Sequence, residues 1–352
     1  LPQDVAPGDF LLIDDGKVKV KVVSATDTVV TTEVVVAGAV SNNKGINLPG
    51  VAVNVPALSE KDEDDLRWGL KLGADLIALS FVRNADDIVR VHEIMDEEGR
   101  RVDAFDAIMV ARGDLGVELP LEAVPIVQKR TVELARRMAK PVIVATQMLE
   151  SMISSPVPTR AETSDVANAI LDGADAVMLS GETSVGEYPV ITVQTMAKIV
   201  ESTEEHGLDR IAELGTKPKT QGGAITLAAA EVASFVEAKF VCVFTESGDS
   251  ARRMSRLRFR IPMKAFTPSP EIQRRMSLIW GIESFIVDRV THTDEMYRQV
   301  DEILLGQELA EVGDRVVVIS GSPPGISGST NDLRVHIIGD AVNAKAPAWA
   351  TK

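Results

Sequence analysis

Four short apolar runs, DLIALSF, AIMVAR, PVIVATQ and ADAVMLS, recur between residues 75 and 180, and stretches of helical periodicity fall between and after them. Their apolar character does not alternate, so both faces of each strand must be covered, as in parallel strands flanked by helices. The repeat predicts a (β/α) barrel arrangement, in which the carboxyl ends of the strands share one rim and carry the chemistry. A closed barrel needs about eight strands and only four are legible, so either the sheet is open or part of the barrel lies outside this sequence.

The flanking regions differ in texture. Residues 1–57 are rich in Val and Thr, with alternations such as LLIDDGKVKVKVV and TVVTTEVVV broken at Asp15-Gly16 and Ala25-Thr26-Asp27, which predicts a small β domain. Residues 58–205 hold the repeat. Residues 206–352 alternate again, with strands expected near Phe240 to Thr245, Met263 to Phe266, Ser284 to Val287 and Val316 to Ser320, after the polar stretch Gly215 to Gly223. This pattern predicts an open doubly wound α/β domain. Three domains suit a chain of 352 residues.

A net charge of −15 argues against nucleic acid or an anionic membrane as the main partner, so any site for anions must be locally basic. No apolar run is long enough to span a bilayer and no signal peptide opens the chain. The single cysteine, Cys242, sits in the apolar run Phe240 to Phe244 and reads as core. These features set the expectation of a cytoplasmic protein.

The strand ends carry the chemistry. In IMVARGDLG, Gly113 lets backbone amides approach a ligand, Arg112 is a permanent cation, and Asp114 is a hard oxygen donor suited to Mg²⁺. Together they would hold an anion beside a metal, although an ordinary turn explains the tripeptide alone. The third run ends in Thr146-Gln147, and the last leads into Ser180-Gly181-Glu182-Thr183. Between them, Thr159 to Glu162 has capping-box spacing at the start of a helix that Gly173 would end. Each could be punctuation. Convergence of Asp114, Thr146, Ser180 and Glu182 on one mouth is harder to explain that way.

With these residues in view, the chain resembles the pyruvate kinase family. The resemblance rests on MVARGDLGVELP, KPVIVATQMLESM, PTRAE, SDVANAILDGADAVMLSGET and NKGINLPG, and continues into TESGDSAR and GSTN. It covers essentially the whole chain. It implies a (β/α)8 barrel with an inserted β lid domain, a C-terminal regulatory α/β domain and a homotetramer. It also implies phosphoryl transfer from phosphoenolpyruvate to ADP, followed by enolate protonation. Residue by residue, Asp114 matches the carboxylate ligand of Mg²⁺ or Mn²⁺, and the amides of Gly113 and Asp114 match the cradle of the substrate carboxylate. Thr146 completes that site near the enolate carbon, and Ser180 and Glu182 order a water network around it. Thr146, Ser180 and a water they hold are all open as proton donor. Lys44 matches a lysine near the nucleotide phosphates, whereas pattern alone would make it a solvated surface lysine.

Two departures from the family pattern stand out. The first three barrel strands have no counterpart here, nor do the residues that bind phosphate and a monovalent cation such as K⁺. Between Arg101-Val102 and Phe105-Asp106 a further strand and helix are lacking, with the lysine that stabilises the transferring phosphoryl group and the glutamate that is the second metal ligand. The expectation is that this sequence is part of a longer polypeptide.

A second anion site is expected in the last domain. Thr245, Ser247, Gly248 and Ser250 would cradle one phosphate, although Ser and Thr could simply cap a helix. The resemblance implies an effector there, faced by residues 321–331 with Gly328 and Ser329. Glu246 and Asp249 would repel a sugar bisphosphate, so AMP or a sugar monophosphate is the expected ligand. Arg252, Arg256 and Arg260 fall on one helical face, either steering anions or forming a solvated stripe. The four histidines lack metal-ligand spacing and are assigned no chemistry, and Trp280 reads as packing. Two rival functions stay open: a catalytically inactive metabolite-binding relative, and a Mg²⁺-dependent enolpyruvate lyase, which would need neither lid nor effector domain.

Overall fold

The computed structural model describes residues 1–341 except 15, 43, 51–57, 83, 103–106 and 327. The expected domain break at residue 57 and the junction at Phe105 and Asp106 therefore lie outside the described residues, as does the end of the last domain.

The Val- and Thr-rich segment forms a four-stranded antiparallel sheet of β1 (Phe10–Ile13), β2 (Val18–Ala25), β3 (Val30–Val36) and β4 (Ile46–Asn47), in the order β3-β2-β1-β4. Alternation buries one face only: Val18, Val20 and Val22 pack with Leu11 and Val5. Next come α1 (Glu60–Lys71), opened by a Ser59–Asp62 capping box, and α2 (Asp86–Glu97). Leu66 and Leu70 of α1 pack on Val91, Ile94 and Met95 of α2.

The parallel sheet of the middle region contains β5 (Ile108–Ala111), β6 (Val142–Ala145) and β7 (Ala176–Met178), in that order. Around it lie α3 (Arg112–Glu118), α4 (Val124–Arg137), α5 (Arg160–Asp172), the short α6 (Gly181–Ser184) and α7 (Pro189–Gly207). The expected helix boundaries at α5 hold: Thr159 and Glu162 form the capping box and Gly173 caps in the left-handed region. The first expected strand does not form. DLIALSF contains one isolated bridge residue, Leu76, in place of a strand. A strand is held by its neighbours' backbone groups, and among the described residues this run has no ladder. For the same reason β5 is an edge strand, leaving Ile108 and Met109 exposed. Barrel closure is not seen among the described residues, and the mixed α/β class with parallel strands stands.

After α8 (Gln221–Phe235), the last region folds into a five-stranded sheet. Its elements run β8 (Phe240–Phe244), α9 (Asp249–Ser255), β9 (Met263–Thr267), α10 (Pro270–Met276), β10 (Ile282–Ile286), α11 (Thr293–Gly306), β11 (Arg315–Gly321) and β12 (Thr330–Ile337). Strand order is β10-β9-β8-β11-β12, parallel except for β12. All four expected strands form, and β12, not expected, pairs antiparallel with β11 at the edge. Apolar clusters cover both sheet faces, the defining feature of a doubly wound domain. Cys242 is buried there, and burial pushes its thiol pKa up, which makes it an inert core residue. No helix among the described residues is long and apolar enough to cross a membrane.

Candidate active site at the strand ends

The parallel register aligns Ala111 with Ala145 and Ala145 with Met178, so the residues that follow these strands leave the sheet side by side. The tightest link is between the first two ends. The Gly113 amide donates to Thr146 Oγ1 at 2.7 Å. Because that oxygen accepts, the threonine's own O–H is directed elsewhere and can serve as a donor to a ligand. This differs from the expected arrangement, in which the Gly113 amide itself faces a substrate carboxylate; here it orients Thr146.

Thr146 and Gln147 both adopt left-handed backbone, with φ of 68° and 54°. Two consecutive non-glycine residues there are costly and must be held by their surroundings. Arg112 holds them. Its guanidinium donates to the carbonyls of Thr146 at 2.8 Å and Gln147 at 3.2 Å, touches Met148 Sδ at 2.8 Å, and pairs with Asp165 of α5. Arg112 is thus a clamp on the turn, and its charge is already matched by Asp165, which corrects the expectation of a cation open to an anion.

Glu182 is fully buried. Its carboxylate accepts from the Ser180 amide at 2.7 Å and the Leu149 amide at 3.2 Å, tying the segment after β6 to the segment after β7. It therefore braces the rim from within, whereas Ser180, half-buried at the N-cap of α6, keeps its hydroxyl out of the cap. Asp114 is exposed in the first turn of α3, one residue beyond Gly113. Glu162 adds a second brace: besides the cap, it accepts from the Ser151 amide at 2.7 Å and hydroxyl at 2.5 Å. Burial raises its pKa, and the bonds from Ser151 and Thr159 outweigh that, leaving the carboxyl below its usual range.

Lys44 lies in the β domain and pairs with Asp14 at 2.9 Å. That bond holds the Asp14 carboxyl below the usual range. Among the described residues no group of three or more His, Cys, Asp or Glu side chains is placed to hold a metal. A single carboxylate ligand, Asp114, still fits Mg²⁺, which commonly takes one or two carboxylates and completes its shell with substrate oxygens and water.

The second candidate site follows from topology. The sheet order reverses between β8 and β11, and a ligand crevice is expected outside the carboxyl ends of strands that diverge in this way. An open cleft lies there, lined by Thr245, Ser247 and Ser250 on one side and Gly328, Ser329 and Thr330 on the other. Gly248, at φ 79°, shapes the loop and donates its amide to Thr245 Oγ1 at 2.9 Å. Ser250 and Thr330 share a 2.6 Å hydrogen bond across the cleft. Here an expectation needs correcting. Glu246 pairs with Arg289 at 3.1 Å and Asp249 with Arg253 at 2.5 Å, so the repulsion invoked against a bisphosphate is largely cancelled. Arg289, which lines the cleft from the segment after β10, was not singled out in the sequence because nothing local links it to residues 245–250.

Two family models match the chain: "Pyruvate kinase, barrel domain" over residues 1–193 and "Pyruvate kinase, alpha/beta domain" over residues 223–336. Among curated relatives, pyruvate kinase of Corynebacterium efficiens is 52% identical over 359 residues, covering 97% of this chain and 75% of the relative. The Mycobacterium tuberculosis enzyme is 51% identical, covering 97% and 76%. A more distant one from Agrobacterium vitis is 45% identical, covering 94% and 74%.

Proposed function

Because the chain belongs to the pyruvate kinase family and is a phosphotransferase, we propose that it carries out the full Mg²⁺-dependent reaction at the rim of β5, β6 and β7, converting phosphoenolpyruvate and ADP to pyruvate and ATP. The observation that carries this reading is the Gly113–Thr146 bond beside Asp114, where a hydroxyl donor and a hard carboxylate leave adjoining strands. Phosphoryl transfer asks mainly for positioning and charge neutralisation, which such a rim supplies without a covalent nucleophile.

In this reading Asp114 holds Mg²⁺ or Mn²⁺ together with substrate oxygens, and the bound ion supplies neutralisation of the enolphosphate charge. Thr146 donates toward the substrate carboxylate and the adjoining enolate carbon. Ser180 presents a second hydroxyl, and Glu182 fixes the distance between the two loops. Lys44 leaves Asp14 to meet the nucleotide phosphates when the β domain closes. K⁺ is a further expected cofactor. The setting inferred is the cytoplasm, and the assembly a homotetramer; α7 exposes Val190, Ile191 and Val193, apolar side chains that a second subunit would cover.

Regulation is assigned to the cleft between β8 and β11, with a phosphorylated effector such as AMP or a sugar monophosphate. With Glu246 and Asp249 paired, discrimination against a bisphosphate depends on the shape that Pro324, Gly325, Gly328 and Ser329 give the facing side more than on charge. Calorimetric titration of AMP, a hexose monophosphate and fructose 1,6-bisphosphate tests the preference, and tightest binding by the bisphosphate would refute it.

One observation favours a second reading. The sequence lacks the phosphoryl-stabilising lysine and the second acidic metal ligand of the family pattern, so a metabolite-binding relative without turnover is the alternative. A coupled assay of pyruvate formation separates them: turnover supports the kinase, and phosphoenolpyruvate binding without product supports the alternative.

A further inference from the structure

Besides its hydroxyls, the cleft between β8 and β11 is lined by three carboxylates, Glu246, Asp249 and Asp288, and by one cation among the described residues, Arg289. Asp249 is neutralised by Arg253 from within α9, and Asp288 is exposed to water. The charge an anion meets in the cleft therefore turns on Glu246 and Arg289.

Arg289 stands three residues beyond β10 and Glu246 two residues beyond β8, with β9 between those strands in the sheet. Their ion pair thus spans the end of β9, and Pro268, which follows that strand, also lines the cleft. Only one guanidinium nitrogen takes part: Nη2 donates to Glu246 Oε2 at 3.1 Å. Nε and Nη1 of Arg289 make no hydrogen bond to any described residue, and the side chain is 74% exposed. An exposed pair held by a single bond contributes little, because water competes for both charges. Its partners can be exchanged at small cost.

A phosphate group is the stronger partner. Its oxygens are spaced to accept from two nitrogens of a guanidinium fork at once, where Glu246 engages one. Ser247 and Ser329 can donate to the same group, but they bring no charge to match it. The cleft holds about 60 Å³, and a single water takes roughly 10–15 Å³ by the same measure. That leaves room for a phosphate group, with the rest of a ligand reaching out through the open side.

On the reading that this cleft takes a phosphorylated effector, we propose that Arg289 is its charge-recognising residue and works by exchange. Without ligand, Glu246 holds the guanidinium. With ligand, Arg289 turns to the phosphate and the Glu246 carboxylate returns to water. Glu246 is therefore an internal competitor that sets how tightly the effector binds.

The test needs no catalysis. Glucose 6-phosphate and AMP are titrated calorimetrically into the whole chain and into Arg289→Gln, Glu246→Gln and Ser329→Ala, at ionic strength matched with sodium chloride. Arg289→Gln should weaken binding about tenfold or more, as for a lost charge-assisted bond. Glu246→Gln should tighten it roughly two- to fivefold, the worth of an exposed ion pair. Glucose and adenosine, the same carriers without phosphate, should show no dependence on Arg289; if they do, the guanidinium meets the carrier and the proposal falls. An Arg289 effect on one ester alone supports the exchange and identifies the carrier. The two ways of failing differ. No saturable binding of either ester to the parent removes the effector assignment, and the exchange with it. Saturable binding that Arg289→Gln leaves at parent affinity while Ser329→Ala weakens it keeps the ligand in the cleft and overturns the exchange, as does a Glu246→Gln protein that binds no tighter than the parent.

Discussion

The Gly113 amide and the Thr146 hydroxyl, 33 residues apart in sequence, meet at 2.7 Å across the ends of two parallel strands. This bond fixes which way the threonine can donate, and Arg112 fixes the backbone that presents it. Replacing Thr146 with Val keeps the volume and removes the oxygen. Turnover in a coupled pyruvate assay should fall by roughly two to three orders of magnitude, the usual consequence of losing an oriented donor. Thr146→Ser should retain most activity. Equal loss in both variants would mean that the hydroxyl is not what matters.

Glu182 should act on stability before chemistry. Its buried carboxylate accepts from two backbone amides, and Gln offers only one oxygen, leaving an amide nitrogen facing a donor. Glu182→Gln should cost about 2 kcal/mol in urea unfolding. A variant as stable as the parent would show that these bonds do not brace the rim.

Glu162 gives a pH signature. Against burial, which raises its pKa, the bonds from Ser151 and Thr159 hold its carboxyl below the usual glutamate range, so its contribution is fully present above the unfolded pKa. The contribution is lost as pH falls through the lower folded value. Glu162→Gln should therefore be less stable than the parent at pH 7, by about 1 kcal/mol as for a lost helix cap, with the gap narrowing under acid. Thermal melts across the acid range read this directly, and a gap that widens in acid would contradict it.

A buried pair outside both sites offers a stability test. His336 Nε2 and Asp301 Oδ1 lie 2.7 Å apart, both almost wholly buried, and the other Asp301 oxygen accepts from the Ala341 amide. Asp301→Ala should destabilise the protein by about 3 kcal/mol, since it strands the histidine. Denaturant midpoints unchanged from the parent would show that the pair carries no such weight.

How legible these features were in sequence depends on the range over which they are determined. The β domain, the α5 cap and the four parallel strands of the last domain follow from local alternation, capping residues and apolar runs, and all form as read. DLIALSF carries the same local signal and fails, because a strand also needs neighbours. The strand-end residues could be named from their chemistry, but their roles could not. Nothing in the pair Thr-Gln announces left-handed backbone, and nothing in RGD reveals that Arg112 reaches Asp165, 53 positions away, instead of a ligand. The stripe of Arg252, Arg256 and Arg260 was visible as a helical face, yet its three members diverge in the fold. The first two line a narrow crevice between the middle region and the last domain, and Arg260 pairs with Asp209.

The central claim is that the rim of β5, β6 and β7 performs metal-assisted phosphoryl transfer with Asp114 as its carboxylate ligand. The most direct measurement is pyruvate formation from phosphoenolpyruvate and ADP across a Mg²⁺ titration, comparing the parent with Asp114→Asn. Turnover is expected in the parent and, in the variant, a loss of about two orders of magnitude or more with a raised Mg²⁺ requirement. Normal turnover by Asp114→Asn at the same Mg²⁺ concentration would contradict the claim.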